Sequence, residues 1–502
     1  MRWQLPRSTQ NWITLIGATI AIISLFMIIF LFVVSTFWVS NHTYLGLVIY
    51  IMLPAVMIMG LLLIPLGMFV QMNREKKHKT VIRPPWPRID LNDSVHRNAF
   101  FIFTVGTTIL LFLSAIGSYE AFHFTESVSF CGETCHSVMH PEFVAYQNSP
   151  HARVSCVECH VGSGADWYVR SKMSGTYQVY AVLADVYPKP IPTPIENLRP
   201  ARETCEQCHW PQKFYSFKIR HETHYLSDEN NTQWDIDLVM KIGAKKSALG
   251  LQEGIHWHIN PDIKIEYIAS DKTREKLPWV RYTNRKTGET IIYNDQDEPL
   301  DEDQIMNGEM RTMECIDCHN RPSHNYRPPT LFINEAMTAG AIPKELPNIK
   351  SVAIDLCAEE YSTMDSAMMS IEKEIHEYYR ENYPDIYESK TELIGMAVTG
   401  LQESFSKNIF PEMKVKWSAY PNHIGHLEFN GCFRCHNDTH TSEKGDIIRK
   451  DCNLCHVINA QGTAENMEIG RVGDALEFKH PEDIDEAWKE MLCIDCHTGL
   501  NP

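Results

Sequence analysis

Positive charge is in short supply. The 502 residues carry 46 Lys and Arg against 63 Asp and Glu, a formal net charge of −17. Residues 119–502 hold 37 and 60 of these, or −23. A surface of that sign repels nucleic acid and suits a basic soluble partner, although solubility alone would also account for it. Three long apolar runs contain no histidine, so the usual ligands of a b-type haem held between helices are missing. Cysteine is almost absent outside one repeated pattern. Of fifteen, only Cys357 stands alone, and it reads as a small buried side chain.

The other fourteen define the chain. CVECH, CEQCH, CIDCH, CFRCH, CNLCH and CIDCH place Cys156/Cys159, Cys205/Cys208, Cys315/Cys318, Cys432/Cys435, Cys452/Cys455 and Cys493/Cys496 in Cys-x-x-Cys-His motifs. Two cysteines at this spacing can each form a thioether to one haem edge. The adjacent histidine, here His160, His209, His319, His436, His456 or His497, then lies under the iron. Zinc sites also use Cys-x-x-Cys pairs, but six matches each followed by His predict six c-type haems. FCGETCH is different: three residues separate Cys131 from Cys135, with His136 next. From spacing alone it is a widened haem motif, a disulfide or a zinc ligand pair.

Residues 12–38, about 44–71 and 99–118 are each long and apolar enough to cross a bilayer as a helix. The loop between the second and third is basic (Arg74, Lys76, Lys77, Lys79, Arg83, Arg88, Arg97). Arg2 and Arg7 precede the first run, and the first connecting loop has neither Lys nor Arg. This bias predicts a cytoplasmic N-terminus and basic loop. Three crossings then put everything beyond residue 119 in the periplasm of a multi-pass inner-membrane protein, where c-type haems are attached.

The expected fold class is mainly α with little β: three transmembrane helices and a loop-rich multihaem region. The expected domains are a membrane anchor (1–120), a four-motif domain (121–330), a helical connector (331–420) and a three-motif domain (421–502). Helices are predicted over 363–381 and 388–408 from apolar residues at three- and four-residue spacing. Strands are predicted at KIEYIAS and in a hairpin around Lys286-Thr287-Gly288. Elsewhere segments are short, and haem would supply much of the apolar core.

A haem held by two histidines needs a second His for each iron. The best-placed candidates are His151, His221, His224, His256, His258, His324, His423, His426, His440 and His480. If that stretch is a strand, His256 and His258 share one face, so at most one of them is expected to serve a given haem. His376, inside a predicted helix, reads as an ordinary polar side chain.

The run CGETCHSVMHPEFVAYQNSPHARVSCVECHVG, a Lys twelve residues on, NLRPARETCEQCHWPQKF and MECIDCHNRPSH together resemble the NapC/NirT cytochromes over roughly 125–330. Three helices before this region and three motifs after it resemble the ImcH-type heptahaem inner-membrane cytochromes. The resemblance implies a quinol dehydrogenase with its first haem nearest the membrane. It makes residues 131–136 a seventh haem site, with His136 or Met139 on the iron. It also implies a Lys contacting quinol and an acid six or seven residues later. Lys172 matches, but positions 178 and 179 are Gln and Val. Asp185 is the proposed substitute proton acceptor, with Glu120, Glu126 and Glu142 as alternatives.

The activity this implies is oxidation of menaquinol from the lipid bilayer, with electrons passed through seven haems to periplasmic multihaem cytochromes in anaerobic or extracellular respiration. A homo-oligomer is compatible with the sequence. The same chain run inward as a quinone reductase is the alternative. A terminal oxyanion reductase is a weaker one, because no motif replaces its His with Lys.

Overall fold

The computed structural model describes residues 11–37, 53–77, 90–134, 136–162, 165–195, 199–243, 254–471 and 474–500. Cys135 and much of the basic loop lie outside the described residues. So do the side chains of His136 and Lys172.

The chain divides into two units, residues 1–126 with 161–177, and residues 127–160 with 178–502. The first unit contains α1 (Trp12–Phe37), α2 (Leu53–Lys77) and α3 (Ser94–Glu126). All three are long and apolar enough to cross a membrane. Small residues let α1 and α2 approach closely. A Cβ on Gly17 would lie 2.6 Å from the Gly60 carbonyl oxygen, and the Thr14 hydroxyl donates to the Ile64 carbonyl (3.3 Å). The third helix extends past the predicted end at 118 to Glu126.

The second unit includes α4 (His136–Gln147), and α5 (Ala165–Leu183) has residues in both units. The largest apolar core is helical, built by α6 (Pro329–Thr338), α7 (Ile349–Ala358), α8 (Met364–Asn382), α9 (Pro384–Ser389) and α10 (Thr391–Asn408). Ile371, Ile375 and Tyr379 of α8 repeat every four residues. They share a fully buried core with Ile394, Leu401 and Phe405 of α10. This agrees with the two helices predicted there, and Cys357 is buried in the same core.

Strands beyond the predicted ones are present. Nine strands form two sheets among the described residues, in orders β1-β2-β8-β9 and β6-β3-β4-β5-β7. They are β1 (Phe217–Tyr225), β2 (Gln233–Lys241), β3 (Ile263–Ile268), β4 (Trp279–Asn284), β5 (Thr290–Asp295), β6 (Met310–Thr312), β7 (His440–Ser442), β8 (His456–Gly462) and β9 (Glu468–Ile469). The predicted hairpin is β4–β5, where Thr283 pairs with Thr290. Each sheet mixes strands from the two motif groups. Met240 pairs with His456, and Asp295 with His440. The four- and three-motif regions, expected as separate domains, therefore share their backbone hydrogen bonding.

Candidate haem centres

Each motif is a tight turn. Cys156–His160 is α-helical. At four others the histidine N–H donates to the first cysteine's carbonyl: His209 to Cys205 (2.8 Å), His319 to Cys315 (2.7 Å), His436 to Cys432 (3.0 Å) and His497 to Cys493 (2.8 Å). Such a turn carries the two thiols and the imidazole on one short stretch of backbone. Among the described residues no three His, Cys, Asp or Glu side chains converge on one point, as a zinc site would require.

Cys131, Cys156, Cys205, Cys315, Cys318, Cys432, Cys435, Cys455 and Cys493 are half-buried, and Cys159, Cys208, Cys452 and Cys496 are exposed. In three motifs the second cysteine's N–H closes a turn on the first, Cys208 on Cys205 and Cys496 on Cys493 (both 3.2 Å) and Cys435 on Cys432 (3.3 Å).

The widened motif has its own local solution. Phe130–Thr134 forms a single π-helical turn, in which hydrogen bonds span five residues instead of four. A π turn winds extra backbone into each repeat, which suits a motif with one extra residue between its thiols. Gly132 is needed there, since a Cβ would run into the Phe143 ring. Met139 is half-buried in the first turn of α4.

The structure brings each of the six regular motif histidines opposite a second imidazole. Ring centres are 6.0 Å apart for His151 and His209, and 6.2 Å for His160 and His324. They are 6.2 Å apart for His256 and His319, and 5.9 Å for His258 and His436. They are 6.1 Å apart for both His426–His456 and His480–His497. A metal between two imidazoles needs a bond of about 2 Å on each side, in addition to the radius of each ring. Ring centres near 6 Å leave room for one ion, and the residues present fit a bis-histidine haem.

The opposing rings are also oriented. Four donate from Nδ1 to a backbone carbonyl: His151 to Pro322 (3.0 Å), His256 to Ile242 (3.0 Å), His258 to Ile255 (2.7 Å) and His324 to Glu142 (3.0 Å). His480 engages the Glu482 backbone through Nδ1 (2.9 Å). Because a carbonyl can only accept, such a bond puts the proton on Nδ1 and leaves Nε2 for a metal. Burial lowers the pKa of His160, His256, His258, His319, His436 and His456, and pushes His324 and His426 down to about 4. The rings are thus held neutral, the form that binds metal.

Other candidate ligands are placed elsewhere. His221 contacts Asp237 through Nδ1 (2.7 Å) and Thr223 through Nε2 (3.2 Å). Fully buried His440 uses Nδ1 on Asn437 (2.8 Å) and Nε2 on the Leu277 carbonyl (2.9 Å). Buried His423 uses Nδ1 on the Asp317 carbonyl (3.1 Å) and holds Nε2 2.9 Å from Glu275. Among the described residues none of these three rings is opposed to a motif histidine, and His221 and His440 have protein groups at both ring nitrogens. His224 lies beside Trp234 and Asn334. His256 and His258 would share a face only on a strand. Residues Ile255–Ile259 instead form a 3-10 helix, and each ring faces a different motif histidine.

Near the first motif, Glu142 is half-buried with Arg321 close by, and burial raises its carboxyl pKa. Asp185 is exposed just beyond α5 in a left-handed conformation (φ 52°). Its N–H donates to the Val182 carbonyl, and the next N–H, of Val186, to that of Ala181. Asp185 therefore closes the helix in a Schellman-type cap.

Comparison with known proteins places the chain in a family. Residues 93–190 match the N-terminal region of the NapC/NirT cytochrome c family. The chain is 44% identical over 489 residues to the cytochrome c-type protein ImcH of Geobacter sulfurreducens, covering 97% of this chain and 95% of that one. The chain belongs to the NapC/NirT cytochrome c family. It is also 28% identical over 117 residues to the cytochrome c-type protein NrfH of Wolinella succinogenes, covering 21% of this chain and 66% of that one. No solved structure matches. This is therefore a membrane-anchored multihaem cytochrome c that works in electron transport.

Proposed function

We propose that the chain is an inner-membrane quinol dehydrogenase of the quinol:cytochrome c oxidoreductase type, with its haem region in the periplasm. It oxidises menaquinol and passes the electrons through seven covalently bound haems to periplasmic multihaem cytochromes. The observation that carries this reading is the set of six motif histidines, each facing a second imidazole across a gap of one metal ion. Haem bound there supplies one-electron redox chemistry, while the protein sets position, potential and access.

His324, His151, His426 and His480 hold the faces opposite His160, His209, His456 and His497. At Cys131/Cys135, His136 or Met139 completes the site, and a thioether ligand would raise its potential. Lys172 binds the quinol oxygen. Asp185, exposed to water at the end of α5, takes a proton from the substrate.

The test mixes the oxidised, detergent-purified protein anaerobically with a menaquinol analogue and follows the haem absorption bands. Fast reduction, slowed about tenfold or more by Lys172→Ala with haem content unchanged, is the expected result. If quinol leaves the haems oxidised while a reduced soluble cytochrome fills them, the outward direction is wrong.

A further inference from the structure

The two groups of motifs are far apart in the chain, with 112 residues between His319 and Cys432, yet they meet at one turn. Gly254 opens that turn at φ 80°, where a Cβ would run into the Lys241 carbonyl. The 3-10 helix Ile255–Ile259 follows and is closed by the Asn260 N–H donating to the Trp257 carbonyl (3.0 Å). A 3-10 helix turns about 120° per residue, so side chains two positions apart diverge instead of sharing a face. Between the two histidines, Trp257 stacks on Tyr282 (5.7 Å, 19°). It packs on the β3–β4 core, together with Met313 just before one motif and Cys435 of the next. Arg202 donates to the Ile259 carbonyl (3.1 Å).

The motifs on either side are joined directly. Buried Arg434, inside CFRCH, donates from Nη2 to the carbonyl of Asp317, inside CIDCH (2.7 Å). Its other nitrogens donate to the carbonyls of Arg274 (2.9 Å) and Gly431 (2.8 Å).

We infer that His256 and His258 are the distal axial ligands of the fourth and fifth haem centres, opposite His319 and His436. One rigid turn then sets the spacing and orientation of two irons across the boundary between the motif groups. This rests on reading the motifs as haem attachment sites. The ring planes differ by 6° in the His256–His319 pair and by 85° in the His258–His436 pair. Parallel imidazoles give an ordinary rhombic low-spin ferric signal, and perpendicular ones a large-gmax signal.

The experiment compares electron paramagnetic resonance spectra of the full-length holoprotein with those of His256→Met and His258→Met. Peptide mass spectrometry of the Cys315–His319 and Cys432–His436 peptides reports haem attachment. Haem content should stay unchanged. His256→Met should lose one haem equivalent of rhombic signal, and His258→Met one of large-gmax signal. Unchanged spectra with both haems attached would overturn the inference and leave the proposed function standing. Peptides without haem in the parent protein would overturn both. If His258→Met fails to accumulate, His258→Gly grown with imidazole replaces it. Recovery of the large-gmax signal on adding imidazole supports the inference, and no recovery with haem content intact overturns it. His221→Met should leave every signal in place; loss of the fifth centre's signal there would move the ligand away from the turn.

Discussion

The ammonium group of Lys350 sits in the protein interior, with 1% of the residue exposed. It donates to the Tyr225 carbonyl and to Asn334 Oδ1. Burial pushes its pKa down to about 7, against a weaker opposing pull from Glu428. The unfolded chain would keep that proton up to the ordinary lysine pKa, whereas the folded one releases it above about 7. Stability should therefore rise between about pH 7 and about pH 10, and the slope from this group should vanish below that window. Melting temperatures across this range should climb less steeply in Lys350→Met than in the parent; equal slopes would refute the assignment. At the histidines, residue type alone does not separate ligand from structural side chain. His440 and His324 are both shielded and partnered, but His440 spends both ring nitrogens on protein groups and His324 spends only Nδ1.

Among the elements, α8 and α10 were legible because a helix must repeat its apolar face every three or four residues. Ile375 lies in their shared core, with no surface left to water. Ile375→Ala should lower unfolding stability by about 2–5 kcal/mol through the cavity it leaves. Chemical denaturation followed by helix content measures this, and a loss under about 0.5 kcal/mol would mean the site collapses around the smaller residue. Strand β1 was not legible. FKIRHETHY alternates only over Phe217–Arg220 before a run of polar residues, and its first five residues are exposed. Its partner β2 pairs in turn with β8, more than two hundred positions along the chain. The 3-10 turn at Ile255–Ile259 was not legible for a related reason. Five residues are too few to show a period.

At the scale of the whole molecule, charge governs how partners arrive. The excess of acid after residue 118, −23 by formal count, should steer a basic soluble cytochrome toward the haem region. Electron transfer to such a protein should slow about tenfold or more between low and physiological ionic strength, as salt screens the attraction. Stopped-flow rates against salt concentration test this. A flat profile would mean that docking is not electrostatic.

The sequence alone determined the haem motifs, the three membrane helices and the two long connector helices. Each is a local pattern: a turn of five residues, an apolar run the width of a bilayer, or a repeat along one helix. Only the tertiary structure decided which histidine faces which motif, and that the two motif groups share their sheets. The meeting of the two motif groups depends on contacts between residues more than a hundred positions apart, such as Arg434 with Asp317. Nothing in the local spacing of either residue encodes them, because the selecting force is the packing and hydrogen bonding of the folded chain.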